Sequence, residues 1–186
     1  MKILAIADRP PRSSIRKLVT ENQIDLICTL GDLDYYSLRE LELIKDLPKL
    51  GVYGNHDGGA YFADLGIHDL HLKTFVFQGL TFGGFQGCVK YKEAFDNSLF
   101  TQKESQQLLQ AFPPVDVMLT HCPPYGVNDD RFDLSHTGFI GLKEYLERAK
   151  PSYLFHGHTY PTTDQLVTKY LDTNIVYVFQ DKIMTI

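Results

Sequence analysis

Apolar residues in the first half of the chain fall into two alternating rhythms. The run KILAIA at residues 2–7 is continuously apolar after its lysine, the pattern of a strand buried on both faces. Next, SSIRKLVTEN at 13–22 sets Ile15, Leu18 and Val19 at helical spacing behind a serine suited to cap the first turn. DLICTL at 25–30 predicts a second strand. YSLRELELIKDL at 36–47 predicts a helix with Leu38, Leu41 and Ile44 on one face, and KLGVYG at 49–54 a third strand. Strand and helix alternating in units of about 25 residues imply right-handed crossovers and a parallel sheet.

The middle of the chain changes character. KTFVFQGLTFGGFQG at 73–87 holds two aromatic, β-branched runs around Gln78 and Gly79, a hairpin signal. TQKESQQLLQAF at 101–112 opens with Thr101 and Glu104 at capping-box spacing. VDVMLT at 115–120 is a further buried strand, followed by a loop rich in Pro, Asp and Asn. Beyond it GLKEYLERAK at 141–150 predicts a helix, SYLF at 152–155 a strand, and NIVYVF at 174–179 with KIMTI at 182–186 a closing pair of strands. No internal repeat interrupts this order. The expected architecture is α/β: two mixed sheets packed face to face with helices outside, in one domain spanning residues 1–186.

Bulk properties narrow the function. With 186 residues and 44% apolar content, the chain can fill a single core. A net charge of −5 and a pI near 5.8 argue against a broad footprint for nucleic acid or an anionic membrane. An acidic protein still binds an anion where a cation is held locally. Cys28, Cys88 and Cys122 are odd in number and scattered, so they do not make a disulfide framework, and a cytoplasmic location is expected. The N-terminal run stops at Asp8, too short for a signal peptide, and no window approaches the roughly 18 apolar residues of a membrane span.

Candidate chemistry gathers at strand ends. Five predicted strands run into turns that carry Asp8, Asp32, Asn55 with His56 and Asp57, His121, and His158. Ligands bind outside the carboxyl ends of strands in α/β sheets, so these groups can converge from distant positions. Gly31, Gly54 and Gly157 stand immediately before the polar residue, as a sharp backbone turn requires. Carboxylate, amide oxygen and imidazole together suit manganese, iron or zinc better than calcium.

In this order, GDLD at 31–34, GNHD at 54–57, THCPPYG at 120–126 and GHTYP at 157–161 resemble the motifs of the calcineurin-like metallophosphoesterases. The resemblance covers roughly residues 2–180 and implies a four-layer αββα sandwich. It further implies that Asp32 bridges two metals, that Asn55, His121 and His158 complete the second site, and that Asp8 serves the first. His56 would protonate the leaving oxygen, with Asp57 or a neighbouring carboxylate orienting its ring.

Two positions depart from the family pattern. Where D-x-H ends in histidine this chain has Pro10, and where G-H-x-H ends in histidine it has Tyr160. Both losses fall on the first site. One firmly held divalent metal is therefore expected, manganese first with iron, zinc or nickel as alternatives, and a second site weak or absent. His156 is a candidate substitute ligand, and Arg9 or Arg12 candidates to fill the vacated volume. In the loop after His121, Arg131 and His136 are candidate substrate contacts beside Arg9, while Asp129 and Asp130 read as solvated loop residues. The implied activity is hydrolysis of a small phosphodiester or phosphomonoester, with a homodimer only by analogy. The alternative is a binding scaffold that keeps the fold without catalysis.

Overall fold

Side chains on a strand alternate between two faces, and in β1 (Lys2–Ala7) both faces are buried. The computed structural model describes residues 1–93 and 98–186. Ile3, Ala5 and Ala7 face one hydrophobic cluster, Leu4 and Ile6 another. β2 (Leu26–Thr29) divides in the same way, with Cys28 beside Ala5 and Ile27 beside Leu4. Parallel pairing joins β1 to β2, β2 to β3 (Lys49–Gly51), and β3 to the short β4 (His68–Asp69).

A second, six-stranded sheet faces the first. It comprises β5 (Thr74–Phe77), β6 (Leu80–Phe85), β9 (Val117–Thr120), β10 (Tyr153–His156), β11 (Lys169–Tyr170) and β12 (Thr173–Tyr177), in the order β11-β12-β10-β9-β6-β5. Its inner positions Phe82, Val117, Leu119, Phe155 and Val176 meet the inner positions of the first sheet in one buried cluster. Its outer positions Met118, Leu154 and Ile175 pack with Leu109 of α4 (Gln102–Ala111) and Leu142, Tyr145 and Leu146 of α5 (Ile140–Ala149). On the far side, α1 (Ile15–Asn22), α2 (Tyr35–Leu38) and α3 (Phe62–Leu65) cover the first sheet through Ile15, Leu38, Phe62 and Leu65. Helix, sheet, sheet, helix is the αββα sandwich expected from the strand and helix rhythm. A small ladder of β7 (Cys88–Val89) and β8 (Leu99–Phe100) completes the strands before α4.

Two sequence expectations meet a different outcome. The helix expected over 36–47 is α2 followed by a tight 3-10 turn, Arg39–Leu43. Pro48 disfavours helix at the residue before it. Glu40 is also drawn across to α1, where its carboxylate accepts from Ser14 Oγ at 2.6 Å and Arg16 N at 3.0 Å. Leu38 and Leu41 stay buried, so the predicted face survives the change of helix type. The closing strands do not pair with each other. β12 lies in the second sheet beside β10, while β13 (Gln180–Thr185) crosses to pair antiparallel with β1 in the first.

Local chemistry explains the rest. Gln78 and Gly79 both have positive φ, 48° and 80°, which gives the β5–β6 hairpin its tight two-residue turn. α4 carries the reciprocal capping box, Thr101 Oγ1 accepting from Glu104 N at 3.1 Å and Glu104 Oε2 from Thr101 N at 2.8 Å. Among the described residues no helix is long and apolar enough to cross a membrane. Thr101→Ala removes one half of the box and is expected to cost about 1 kcal/mol in urea unfolding. An unchanged midpoint would show that α4 is held by packing on α5 alone.

Candidate metal centre

Strands of both sheets deliver their carboxyl ends to one place, and the chain turns abruptly there. Asp8 follows β1, Asp32 lies just past β2, and His158 just past β10; all three have left-handed backbones, with φ of 64°, 54° and 69°. Aspartate and histidine are among the few side chains that tolerate this region. Hydrogen bonds then sew the sheets together across the gap. Asp8 accepts from the His158 backbone N–H at 3.0 Å, and the His121 ring meets the Leu30 carbonyl at 2.7 Å. Space is so short that a Cβ on Gly54 would sit 2.2 Å from Asp32 Oδ1, and one on Gly31 2.3 Å from Gly54 N. Only glycine fits at either place.

The histidine tautomers decide what the centre can hold. Nδ1 of the fully buried His121 lies against a carbonyl oxygen, so it carries the proton. Its Nε2 faces two oxygens, Asn55 Oδ1 at 3.1 Å and Asp32 Oδ1 at 3.3 Å. His158 is set the other way round. Its Nε2 donates to the Ser135 carbonyl at 2.8 Å, leaving Nδ1 bare. Asp32, His121 and His158 each bring a ligand atom to within 4.8 Å of the others. The facing atoms, Asp32 Oδ1, Asn55 Oδ1 and, when the rings are neutral, His121 Nε2 and His158 Nδ1, thus offer electron pairs and no proton, which is the environment of a cation.

The electrostatics agree. Burial opposes a charge on His121, yet Asp32, by proximity and hydrogen bond, overrides it and lifts the ring well above the usual imidazole range. In the same way burial works against ionised Asp32, and His121 outweighs it to hold the carboxyl low. Without a metal, a proton on His121 supplies the positive charge the site calls for.

Asp57 supports this centre from behind. Its Oδ2 accepts from Asp32 N at 2.7 Å and from Gly54 N, and its Oδ1 from Leu33 N at 3.2 Å and from the Tyr61 hydroxyl. One carboxylate therefore locks together the two loops that carry Asp32 and Asn55. The four contacts go to these loops and to Tyr61, whereas the sequence suggested a partner for the His56 ring. His56 is exposed, and its backbone N–H donates to Asp32 Oδ1 at 2.8 Å.

The sequence model of the calcineurin-like phosphoesterases matches residues 1–161. The chain belongs to that family. No curated protein matches it. Among solved structures, one crystal structure gives a TM-score of 0.65 at 17% identity, over 94% of this chain and 89% of that one. TT1561 of Thermus thermophilus gives 0.63 at 15% identity, over 95% and 88%. GAP50, the anchor in the inner membrane complex of Plasmodium, gives 0.51 at 14% identity, over 95% and 70%. These likenesses show the shared fold.

As a calcineurin-like phosphoesterase the chain is a metal-dependent hydrolase of phosphoric esters, and its remaining candidates divide sharply. Asp8 stands outside the group formed by Asp32, His121 and His158. Burial pushes its carboxyl up to about 6, and the His121 ring and the His158 N–H offset this only in part. Pro10 is exposed, and Tyr160 is 59% exposed with its ring edge-on to Phe179. His156 is buried with Nε2 3.0 Å from the Asn128 amide, which ties β10 to the loop after β9. Arg12 reaches Gln180 at 3.3 Å, and Arg9 is exposed. Asp129 braces its own loop by accepting from Gly126 N and Gly138 N, both at 3.0 Å.

A cavity of about 540 Å³ opens beside the centre. Arg131 and His136 line it, along with Phe132, Thr159 and Tyr160. The His136 ring lies 5.2 Å from that of His158. Sequence reasoning missed the backbone carbonyls of Leu30 and Ser135, which carry no side-chain signal, and the bracing by Asp57. Asp57→Asn replaces one of the two accepting oxygens by an NH2, so at least one backbone N–H loses its acceptor in either orientation of the amide, and is expected to destabilise the fold by roughly 1–3 kcal/mol. His56→Ala, at an exposed position, is expected to leave the same thermal transition in place. Equal stability of both variants would contradict the bracing role.

Proposed function

We propose that this phosphoesterase hydrolyses a small phosphodiester or phosphomonoester, with one divalent cation, manganese first, held by Asp32, Asn55, His121 and His158. The observation that carries the reading is the pair of buried histidines whose tautomers are set by the Leu30 and Ser135 carbonyls. In its neutral form each ring keeps one unprotonated nitrogen for the cation. When bound, the cation supplies charge for a phosphoryl oxygen and acidifies the attacking water. The chain's own residues do the remaining work. Asp57 fixes the spacing between the loops of Asp32 and Asn55. Exposed beside Asp32, His56 donates a proton to the leaving oxygen. Arg131 and His136, from the cavity wall, and Arg9, next to Asp8, contact the substrate.

Asp8 is short of partners for a second cation. Pro10 offers no side-chain donor, and Tyr160 offers an exposed phenol where the family uses imidazole. One ion is therefore held firmly and the other weakly or not at all. Metal counting on purified protein is expected to find one tightly held ion per chain, and Pro10→His with Tyr160→His to raise the count toward two. Two tight ions in the native sequence would contradict this.

A scaffold reading draws on the same losses and on GAP50, an anchor that shares the fold. Turnover separates the two. With added manganese, bis(p-nitrophenyl) phosphate or p-nitrophenyl phosphate is expected to be cleaved, Asp32→Ala to abolish cleavage, and His56→Ala to slow it by roughly 10²–10⁴-fold. A folded protein inert with manganese, iron, zinc and nickel would favour the scaffold.

A further inference from the structure

The loop between β9 and α5 supplies more than a cavity wall. Within it a single 3-10 turn, Leu134–His136, reaches back to the metal centre through a main-chain atom, because the Ser135 carbonyl takes the Nε2 proton of His158 at 2.8 Å. A backbone carbonyl has no side chain to aim it, so something must hold the turn. That group is Asp133. Its Oδ1 accepts from Ser135 N at 3.0 Å and from Ser135 Oγ at 2.7 Å, and its Oδ2 lies 2.6 Å from His136 Nδ1. The residue that owns the critical carbonyl and the one after it are thus bound to one carboxylate.

Other contacts anchor the loop without touching Ser135. Thr137 Oγ1 donates to the Asp133 carbonyl at 3.0 Å, Asp130 N to the His136 carbonyl at 3.1 Å, and Asp130 Oδ1 accepts from Phe132 N at 2.9 Å. The loop's general shape therefore has support of its own, and Asp133 adds the local placement of Ser135.

We propose that Asp133 is a positioning residue for the metal centre: by bracing the Ser135–His136 step it keeps the Ser135 carbonyl on His158 Nε2, and so keeps His158 Nδ1 free of its proton for the cation. His158 needs this help. It sits in a left-handed turn and, among the described residues, its ring has a hydrogen-bond partner on Nε2 and none on Nδ1, so with the carbonyl gone either nitrogen can carry the proton. A ring protonated on Nδ1 cannot ligate through that atom. The carboxylate acts through two intermediates, a backbone carbonyl and an imidazole, and touches neither cation nor substrate.

The inference rests on the reading of His158 as a ligand, and two measurements on the full chain separate them. Nitrogen-15 NMR of the histidine rings in metal-free protein is expected to show His158 protonated on Nε2 in the native chain and mixed between nitrogens in Asp133→Ala. Calorimetric titration with manganese is expected to give roughly 10–100-fold weaker binding for Asp133→Ala, the scale of a lost partner behind a metal ligand. Asp133→Asn, which keeps an oxygen for Ser135, is expected to stay within about threefold of native, and Asp130→Ala within about twofold. An unchanged His158 tautomer in Asp133→Ala overturns the proposal whether or not metal binds. So does equal weakening by Asp130→Ala, which would make the effect one of general loop structure.

Discussion

A fully buried imidazole must account for both of its nitrogens, and His121 does so across the seam between two sheets. Its Nδ1 is committed to the carbonyl of Leu30, a residue of the opposite sheet's strand-end loop. Nε2 is consequently turned toward Asn55 and Asp32, two oxygens that offer it no proton. Everything else in the centre follows from that arrangement. The sheets must pack closely enough for Leu30 to reach the ring, so glycine stands at positions 31 and 54. The loops carrying Asp32 and Asn55 must hold still, so Asp57 ties them together. Packing between the sheets and chemistry at their edge are therefore one constraint seen at two scales.

The two halves of the double site that the family pattern describes have different surroundings in this chain. Asp32 has His121 and the His56 N–H to balance its charge. Asp8 is governed by its burial, which the His121 ring and the His158 N–H offset only in part, and its carboxyl rises accordingly. Pro10 and Tyr160 point to the same deficiency, since both lie where the family places imidazoles. Tyr160 forms part of the wall of the neighbouring cavity.

Much of this architecture can be read from the sequence because it rests on periodicity. Ile3, Ala5 and Ala7 against Leu4 and Ile6 is a period of two, and the β5–β6 turn is marked by Gln78 and Gly79. The motif glycines and polar residues likewise mark which strand ends carry chemistry. What stays hidden is whatever depends on the main chain or on distant partners. The 3-10 turn at Arg39–Leu43 depends on Glu40 being drawn to α1, and the separation of β12 from β13 depends on which sheet edge is open. The carbonyls of Leu30 and Ser135 have no signature at all, although they decide which histidine nitrogens are bare.

The most direct test of the shared cation is anomalous diffraction at the zinc or manganese edge from crystals grown with the metal. One strong peak is predicted at about 2.0–2.2 Å from His121 Nε2, within reach of Asp32, Asn55 and His158 Nδ1. Absence of a peak between these four side chains, or a strong peak at Asp8 without them, would contradict it.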